Sequence, residues 1–184
     1  RKGINETMSI DDSKHSLFGA SKLAADIYCQ EYNKYFDLQI GVLRGSCLTG
    51  PLHRGAELHG FLSYLIKAAK ERRKYYIFGY KGKQVRDNIH SEDVVQACWE
   101  FYKTKNNSGA YNIGGGRSNS CSILEAIDIL KKKHDIEQKY QILKKNRSGD
   151  HIWYISDNSK FQDKHKNWTI KRNLNSIISE IVVN

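Results

Sequence analysis

The sequence predicts an α/β fold with a largely parallel sheet, because strand-like and helix-like segments alternate along it. Short runs rich in β-branched and aromatic residues alternate with longer segments in which apolar residues recur at helical spacing. This alternation is typical of strands joined by helical crossovers. The 184 residues, 39% of them hydrophobic, are enough for a sizeable core, and we find no internal repeat or linker that would split them.

The first half predicts two helices and two short strands. A helix is predicted from Ser21 to Phe36, where Ala25 and Cys29 add a second apolar edge to the main apolar face. Another helix is predicted from about Glu57 to Arg72. The strands are predicted at 38–43 and 75–78, and Lys81-Gly82 predicts a turn before Gln84, Val85 and Arg86.

The second half predicts further helices and strands in alternation. Ser91 caps a helix to about Tyr102, with acidic residues in its first turn. A strand at 110–113 runs into three glycines, and either Ser120 or Ser122 caps the next helix. The remaining predictions are a strand at 139–143, an irregular stretch, a short helix near 158–165 and a last helix at about 174–183.

The net charge of +10 raises the question of a nucleic-acid partner. The excess of basic side chains is spread evenly, however, at +6 for residues 1–90 and +4 for residues 91–184. We therefore expect no nucleic-acid partner, and we rank a basic nucleic-acid-binding protein last among the functions considered.

Hydropathy gives no indication of a membrane protein. No apolar run approaches the roughly 18 residues that a span needs, and the first residues contain no hydrophobic signal region. We therefore expect a soluble, cytoplasmic protein with no membrane partner.

The four cysteines predict neither a zinc site nor a redox motif, because none of them has a CxxC or other paired spacing. Cys29 and Cys98 fall on apolar faces of predicted helices. We expect them to be buried, reduced thiols, and we predict no metal site.

Three consecutive glycines, Gly114 to Gly116, lie between a predicted strand and a predicted helix. That position suits a turn whose amides hold a pyrophosphate. The full dinucleotide-binding spacing fails, because Asn119 occupies the last glycine position. We therefore predict a tight strand-to-helix turn, with amides that could still face a ligand.

Five short motifs follow one another along the chain. They run from His15 to Asp26, Arg44 to Pro51, Ile77 to Asp93, Tyr111 to Gly115 and Arg147 to Asp150. In this order they closely resemble the C-terminal half of extended short-chain dehydrogenases that act on nucleotide sugars, the NAD-dependent epimerase/dehydratase family. Within that family the chain looks most like the CDP-paratose 2-epimerase branch.

The resemblance implies the second half of a Rossmann-type doubly wound parallel sheet and a smaller α/β lobe that binds substrate. Residues 1–50 and 88–113 would belong to the NAD-binding domain, and residues 51–87 and 114–184 to the nucleotide-sugar-binding lobe. The family's glycine-rich NAD-binding turn lies in an N-terminal half that precedes these motifs. We therefore expect NAD as the cofactor and that missing half of the same protein as a partner.

One position departs from the family pattern, because Phe18 stands where the family has its catalytic tyrosine. A phenyl ring cannot exchange a proton, whereas Lys22 keeps the ammonium that binds the nicotinamide ribose in the family. His15 is near the motif in sequence, and histidine as a residue type can exchange protons near neutral pH, so it is a candidate substitute acid/base. The alternatives are a surface role for His15 and an enzyme that is slow, altered or inactive.

The resemblance also implies substrate contacts. Arg86 and Arg147 would hold the diphosphate of a nucleotide sugar, because two guanidinium groups supply bidentate, charge-assisted hydrogen bonds. Asp150 would accept ribose hydroxyls, with a loop turn as the alternative. The other expected contacts are Ser46 beside the nicotinamide, Cys47 near the sugar phosphate, His59 in the substrate lobe, and the backbone of Tyr76, Ile77 and Phe78 around the nucleobase.

These features predict an NAD-dependent nucleotide-sugar epimerase or dehydratase that acts on a CDP-linked deoxyhexose by transient oxidation and re-reduction. Such an enzyme would serve lipopolysaccharide sugar biosynthesis. The alternative is a nucleotide-sugar-binding module without turnover, because of Phe18. The two-sided helix at 21–36 predicts a homodimer, since family dimers commonly pack this helix against its symmetry mate.

Overall fold

The computed structural model describes residues 3–10, 12, 14–57, 59–147 and 149–184, and it confirms the α/β fold class. The helices are α1 (Leu17–Phe36), α2 (Phe61–Lys70), α3 (Ser91–Lys103), α4 (Ile123–His134), α5 (Ser159–Lys164) and α6 (Leu174–Val183). The strands are β1 (Gly41–Gly45), β2 (Cys47–Thr49), β3 (Tyr75–Phe78), β4 (Val85–His90), β5 (Gly109–Ile113), β6 (Ser120–Ser122), β7 (Tyr140–Leu143) and β8 (Trp153–Tyr154).

Parallel pairing dominates the sheets. β1 pairs with β5, β2 with β4, β3 with β7 and β8 with β4, all in parallel, whereas β6 is antiparallel to β4. Ser46 is the single residue between β1 and β2. Its amide donates to the Ile113 carbonyl at 3.0 Å and its hydroxyl to the Asp87 carbonyl at 3.2 Å. The junction is therefore tied to both neighbouring strands.

Two predicted helix starts are wrong for local reasons. α1 begins at Leu17 rather than Ser21, because the Ser16 hydroxyl caps it by accepting the Gly19 amide at 2.9 Å. α2 begins at Phe61 rather than Glu57, because a loop occupies the preceding residues. Two backbone hydrogen bonds between Ala56 and His59 close that loop, and Gly60, with a φ of 73°, ends it. β1 also lies later than its prediction, and β8 lies in the stretch expected to be irregular.

Two clusters of buried apolar side chains form the core. The first joins α2, β3, α4 and α6, and its centre includes Leu65, Ile77, Leu130 and Ile177, each 0% exposed. Fully burying an aliphatic side chain of this kind contributes about 1.5–3 kcal/mol. The second cluster comprises Ile89, Ala97, Tyr111, Ile113, Phe161 and Trp168.

The predicted division into an NAD-binding domain and a sugar-binding lobe stays a prediction. The second cluster contains residues from both predicted parts, because Phe161 and Trp168 pack with Ile89 and Ile113. The Trp168 indole also donates to the Asp93 carbonyl at 2.8 Å. Trp168 therefore packs against β5 and is hydrogen-bonded to α3.

α1 differs from the other long helices, because none of its residues is buried. Its exposed apolar side chains include Leu17 (92%) and Tyr35 (79%). Arg44 in β1 holds the helix through two hydrogen bonds to the Asp26 carboxylate, at 2.6 and 3.2 Å. The outer edge of β1 has no strand partner among the described residues.

The burial predicted for two cysteines is wrong. Cys98 is exposed and Cys29 is half-buried, whereas Cys121 is buried. The apolar face of α3 that carries Cys98 also carries Trp99 and Tyr102, which are exposed too. That face has nothing packed over it within the described part of the chain.

The three glycines form the predicted tight turn, but it leads into a 3-10 turn (Arg117–Asn119) and β6 before α4 begins. The Gly114 amide donates to the Asn158 side chain and the Gly116 amide to Asp87 Oδ2, both at 2.9 Å. A Cβ atom on Gly115 would collide with the Asn88 carbonyl. These two amides serve the fold rather than a ligand.

Two features are absent from the described residues. They contain no helix long and apolar enough to cross a bilayer. They also contain no group of three or more His, Cys, Asp or Glu side chains suited to a metal ion.

Candidate functional site

One cavity of about 640 Å³ brings most of the predicted site residues together. Its walls are the first turns of α1, the junction of β1 and β2, the loop at 50–60, and β3 with β4. The predicted residues that line it are Phe18, Lys22, Ser46, Cys47, His59, Tyr76, Phe78, Arg86, Arg147 and Asp150. They come from distant parts of the sequence, so the fold assembles the site.

Two predicted residues lie outside the cavity lining. Ile77 is 0% exposed in the first core cluster. Tyr75, Tyr76 and Phe78 line the cavity, whereas Ile77 faces the core. His15 is exposed, just before α1, and does not line the cavity.

Phe18 and Lys22 lie one turn apart on α1, and the Lys22 Nζ atom is 5.3 Å from the centroid of the Phe18 ring. An ammonium at that distance is attracted to the ring electrons. The arrangement keeps the cation in place, but the ring offers no proton. Proton transfer in this cavity therefore requires another group.

The β1–β2 junction presents a hydroxyl and a thiol. Ser46 is fixed by its bonds to β4 and β5, and Cys47 follows it in β2. Burial raises the pKa of the Cys47 thiol to about 11, and the nearby Asp87 carboxylate adds to the effect. Cys47 is therefore a neutral thiol near pH 7 and a poor nucleophile.

Arg86 and Asp150 form an ion pair within the cavity wall. Arg86 Nη2 donates to Asp150 Oδ1 at 2.6 Å, and its Nη1 donates to the Val85 carbonyl at 2.8 Å. Arg86 also donates to the His151 carbonyl. These bonds fix the plane of the guanidinium group, which orients its remaining donor edge.

The loop at 50–60 contributes cavity residues that the sequence did not single out. His53 and Glu57 line the cavity together with the predicted His59. The His53 and His59 rings meet edge to face, with centroids 6.0 Å apart. Burial and the neighbouring His59 lower the pKa of His53. One signal in the sequence could have pointed to this loop. It follows the carboxyl end of a parallel strand, where ligands commonly bind.

Gln84 and Asn88 also line the cavity and were not predicted. The Gln84 amide nitrogen donates to the Phe78 carbonyl at 3.4 Å, and the Asn88 amide nitrogen donates to the Asn119 carbonyl at 3.3 Å. Both amides therefore join neighbouring segments of the wall.

Known proteins are similar in sequence to most of this chain. A CDP-paratose 2-epimerase of Salmonella typhi is 30% identical over 161 residues, which is 84% of this chain and 47% of that protein. A dTDP-glucose 4,6-dehydratase of Escherichia coli K12 is 27% identical over 144 residues, covering 77% of this chain and 37% of that protein. The chain thus spans less than half the length of these curated relatives.

A solved structure has the same fold over nearly the whole chain. The UDP-glucuronic acid 4-epimerase of Bacillus cereus, in complex with UDP-glucuronic acid and NAD, superposes with a TM-score of 0.78 at 25% identity. The superposition covers 99% of this chain and 57% of the epimerase.

The family profile described as NAD dependent epimerase/dehydratase matches residues 2–114, from the segment before α1 through β5. These residues include α1, the β1–β2 junction and the loop at 50–60, which form much of the cavity wall. The resemblance predicted from the five motifs is confirmed, and the predicted cofactor, NAD, is the cofactor of this family. The chain belongs to the NAD-dependent epimerase/dehydratase family.

Proposed function

We propose that this chain supplies the nucleotide-sugar site, and one side of the NAD site, of an NAD-dependent epimerase or dehydratase whose substrate is a CDP-linked deoxyhexose. The observation that carries the proposal is the shared cavity, which Arg86 and Arg147 line together with Lys22. Two guanidinium groups suit a diphosphate, because each can form bidentate, charge-assisted hydrogen bonds, and the ammonium suits a nicotinamide ribose. The similarity to the Salmonella typhi CDP-paratose 2-epimerase supports the choice of nucleotide and sugar.

The proposed roles follow the chemistry of each group. Arg86 and Arg147 bind the diphosphate. Asp150 keeps its ion pair with Arg86 and also accepts hydrogen bonds from ribose hydroxyls. The β3 backbone at Tyr76, Ile77 and Phe78 borders the base. Cys47 and His59 contact the sugar end of the ligand.

The residues present fit a nicotinamide ribose. The Lys22 ammonium forms no ion pair with any described residue, and it lines the same cavity as the Ser46 hydroxyl. An ammonium and a hydroxyl are suitable partners for ribose hydroxyls. Bound NAD supplies a hydride acceptor and, later, a hydride donor. Lys22 and Ser46 hold its ribose and nicotinamide end.

The rest of the NAD site belongs to the N-terminal half that the family pattern places before this chain. The outer edge of β1, which has no strand partner among the described residues, supports that arrangement, because further strands of a doubly wound sheet would pair there. The exposed apolar side chains of α1 support a homodimer. Sedimentation as a monomer at micromolar concentration would contradict the dimer.

A second candidate function is a nucleotide-sugar-binding module without turnover, and Phe18 is the observation that favours it. Both functions predict ligand binding. They differ in conversion of a bound CDP-hexose in the presence of NAD, which mass spectrometry of the released sugar measures.

Calorimetric titration with CDP and with a CDP-hexose tests the binding site. Replacing Arg86 by Gln removes a charge-assisted hydrogen bond of about 1.5–3 kcal/mol, so we expect Kd to rise about 10- to 100-fold. The matched control is Arg117→Gln, because Arg117 is exposed and does not line the cavity. Equal affinity of the Arg86 variant and the control, or no binding of either ligand by the unmodified protein, would overturn the proposal.

A further inference from the structure

His53 is held in a hydrogen-bonded chain that reaches into the core. Its Nδ1 atom lies 3.3 Å from the Ser63 hydroxyl of α2, and that hydroxyl lies 3.1 Å from the hydroxyl of Thr49 in β2. Thr49 and Ser63 are buried. The chain of hydroxyls therefore fixes the ring from behind, at the Nδ1 side.

The loop backbone restricts the ring at Cε1, the carbon between its two nitrogens. Gly60 packs against the imidazole so closely that a Cβ atom there would collide with His53 Cε1. The His53 amide donates to the Gly50 carbonyl at 3.0 Å, which fixes the start of the loop. Nε2 makes no hydrogen bond to the described residues, so this atom is available to a ligand.

The cavity lining contains few other groups that exchange protons near neutral pH. Phe18 has no proton to exchange, burial raises the pKa of Tyr75 and Cys47, and Arg86 is paired with Asp150. The ordinary pKa of histidine, by contrast, is near 6.5. Two histidines line the cavity, and His53 is the one with a hydroxyl chain behind it.

We propose that His53 is the proton-transfer residue of this site. It exchanges the proton of the sugar hydroxyl, which Phe18 cannot do because its ring has no hydroxyl group. The inference rests on the proposed function and names the residue that the reaction requires. With its proton on Nδ1, His53 donates to Ser63 and Ser63 donates to Thr49. Nε2 then carries a lone pair that accepts a proton from a sugar hydroxyl.

One proton and one hydride leave the sugar in the oxidation step. The sugar O–H bond breaks and its proton goes to Nε2, which turns the imidazole into an imidazolium. The carbon–hydrogen bond would break as its hydride passes to the oxidised nicotinamide of bound NAD, and the carbonyl forms between the same carbon and oxygen. Re-reduction reverses both events, so the proton returns from Nε2 to the oxygen.

The charged and titratable neighbours of His53 set its protonation. Within its own loop these are His59 and Glu57, α2 and β2 contribute the hydroxyls of Ser63 and Thr49, and α1 contributes Lys22 across the cavity. Burial favours the neutral ring, and the neighbouring His59 acts in the same direction, so His53 has a pKa below that of an ordinary histidine.

The test uses the full enzyme with NAD and a CDP-hexose. His53→Gln keeps an amide that can bond to Ser63 but cannot carry a proton between groups. General acid–base catalysis contributes about 10²- to 10⁴-fold, so we expect kcat to fall at least 100-fold while Kd for CDP changes less than about threefold. His134→Gln, in α4 and outside the cavity, is the matched control. Phe18→Tyr in the His53→Gln background should restore turnover at least tenfold.

A second readout does not depend on turnover. The nitrogen shifts of the His53 ring, measured by NMR in the complex with CDP, should report a proton on Nδ1 at pH 7 and a pKa below that of an ordinary histidine. A proton on Nε2 would contradict the inference, because that tautomer cannot accept the hydroxyl proton.

The kinetic outcomes separate the inference from the function on which it rests. If the unmodified enzyme converts the sugar and His53→Gln converts it equally well, the inference fails and the proposed function stands. An equal loss in His59→Gln and His53→Gln would also overturn the assignment to His53. If the unmodified enzyme converts no nucleotide sugar, both fail.

Discussion

The two sides of the cavity differ in what holds them in place. Tyr76 and Phe78 lie on β3, next to Ile77 in the first core cluster. Phe18 and Lys22 lie on α1, which has no buried residue and depends on the Arg44–Asp26 pair and the Ser16 cap. Burial within this chain thus fixes the side of the cavity proposed to bind the nucleotide, whereas a few polar contacts fix the side proposed to bind the cofactor. Mutation should separate nucleotide affinity from reactivity.

The largest expected effect comes from the buried side. Ile77→Ala removes a fully buried side chain, and such a change costs about 2–5 kcal/mol. Urea denaturation measures the loss as a lower free energy of unfolding. The matched control is Ile142→Ala, since Ile142 is the strand partner of Ile77 in β7 but is 42% exposed. A loss in the control as large as that in Ile77→Ala would contradict the idea that burial fixes this side.

The ion pair on the cofactor side should have a smaller effect, of about 1 kcal/mol. Asp26→Asn removes the charge that Arg44 binds, so α1 should open more readily while the core stays intact. Hydrogen exchange measures this as about fivefold less protection for the α1 amides, with the amides of α2 unchanged. Asp128→Asn is the control, because Asp128 forms an exposed pair with Lys132 on α4. Uniform loss of protection in α1 and α2 would show that α1 is coupled to the core.

The same contrast explains how far the sequence predicts the structure. The strand at 75–78 and the last helix follow from apolar patterns, and both are confirmed. The start of α2 was missed, because the loop before it depends on hydrogen bonds between Ala56 and His59 and on the conformation of Gly60. His53 was missed for a related reason: a lone histidine in a loop has no sequence pattern. It acquires a role only when α2 and β2 bring Ser63 and Thr49 beside it.

The smallest predicted effect is a pH dependence that has opposite signs for two aspartates. Arg44 lowers the pKa of Asp26, so the stability that this pair contributes is present above pH 3.8 and is lost as the pH falls through the folded pKa. Burial raises the pKa of Asp87, which lies beneath Ser46 and accepts the Gly116 and Ser156 amides. Its contribution is largest below pH 3.8 and declines as the pH rises through the folded pKa.

Free energies of unfolding between pH 3 and pH 8 measure both contributions as differences from the Asn variants. The advantage of the unmodified protein over Asp26→Asn should grow with rising pH, because only the charged carboxylate binds Arg44. Relative to Asp87→Asn it should shrink over the same range, because one oxygen of Asp87 has no hydrogen-bond partner among the described residues and its charge is therefore poorly compensated. Parallel pH curves for the two variants would mean that both carboxylates are equally well compensated. The contrast between a buried and a peripheral side of the cavity would then not extend to its electrostatics.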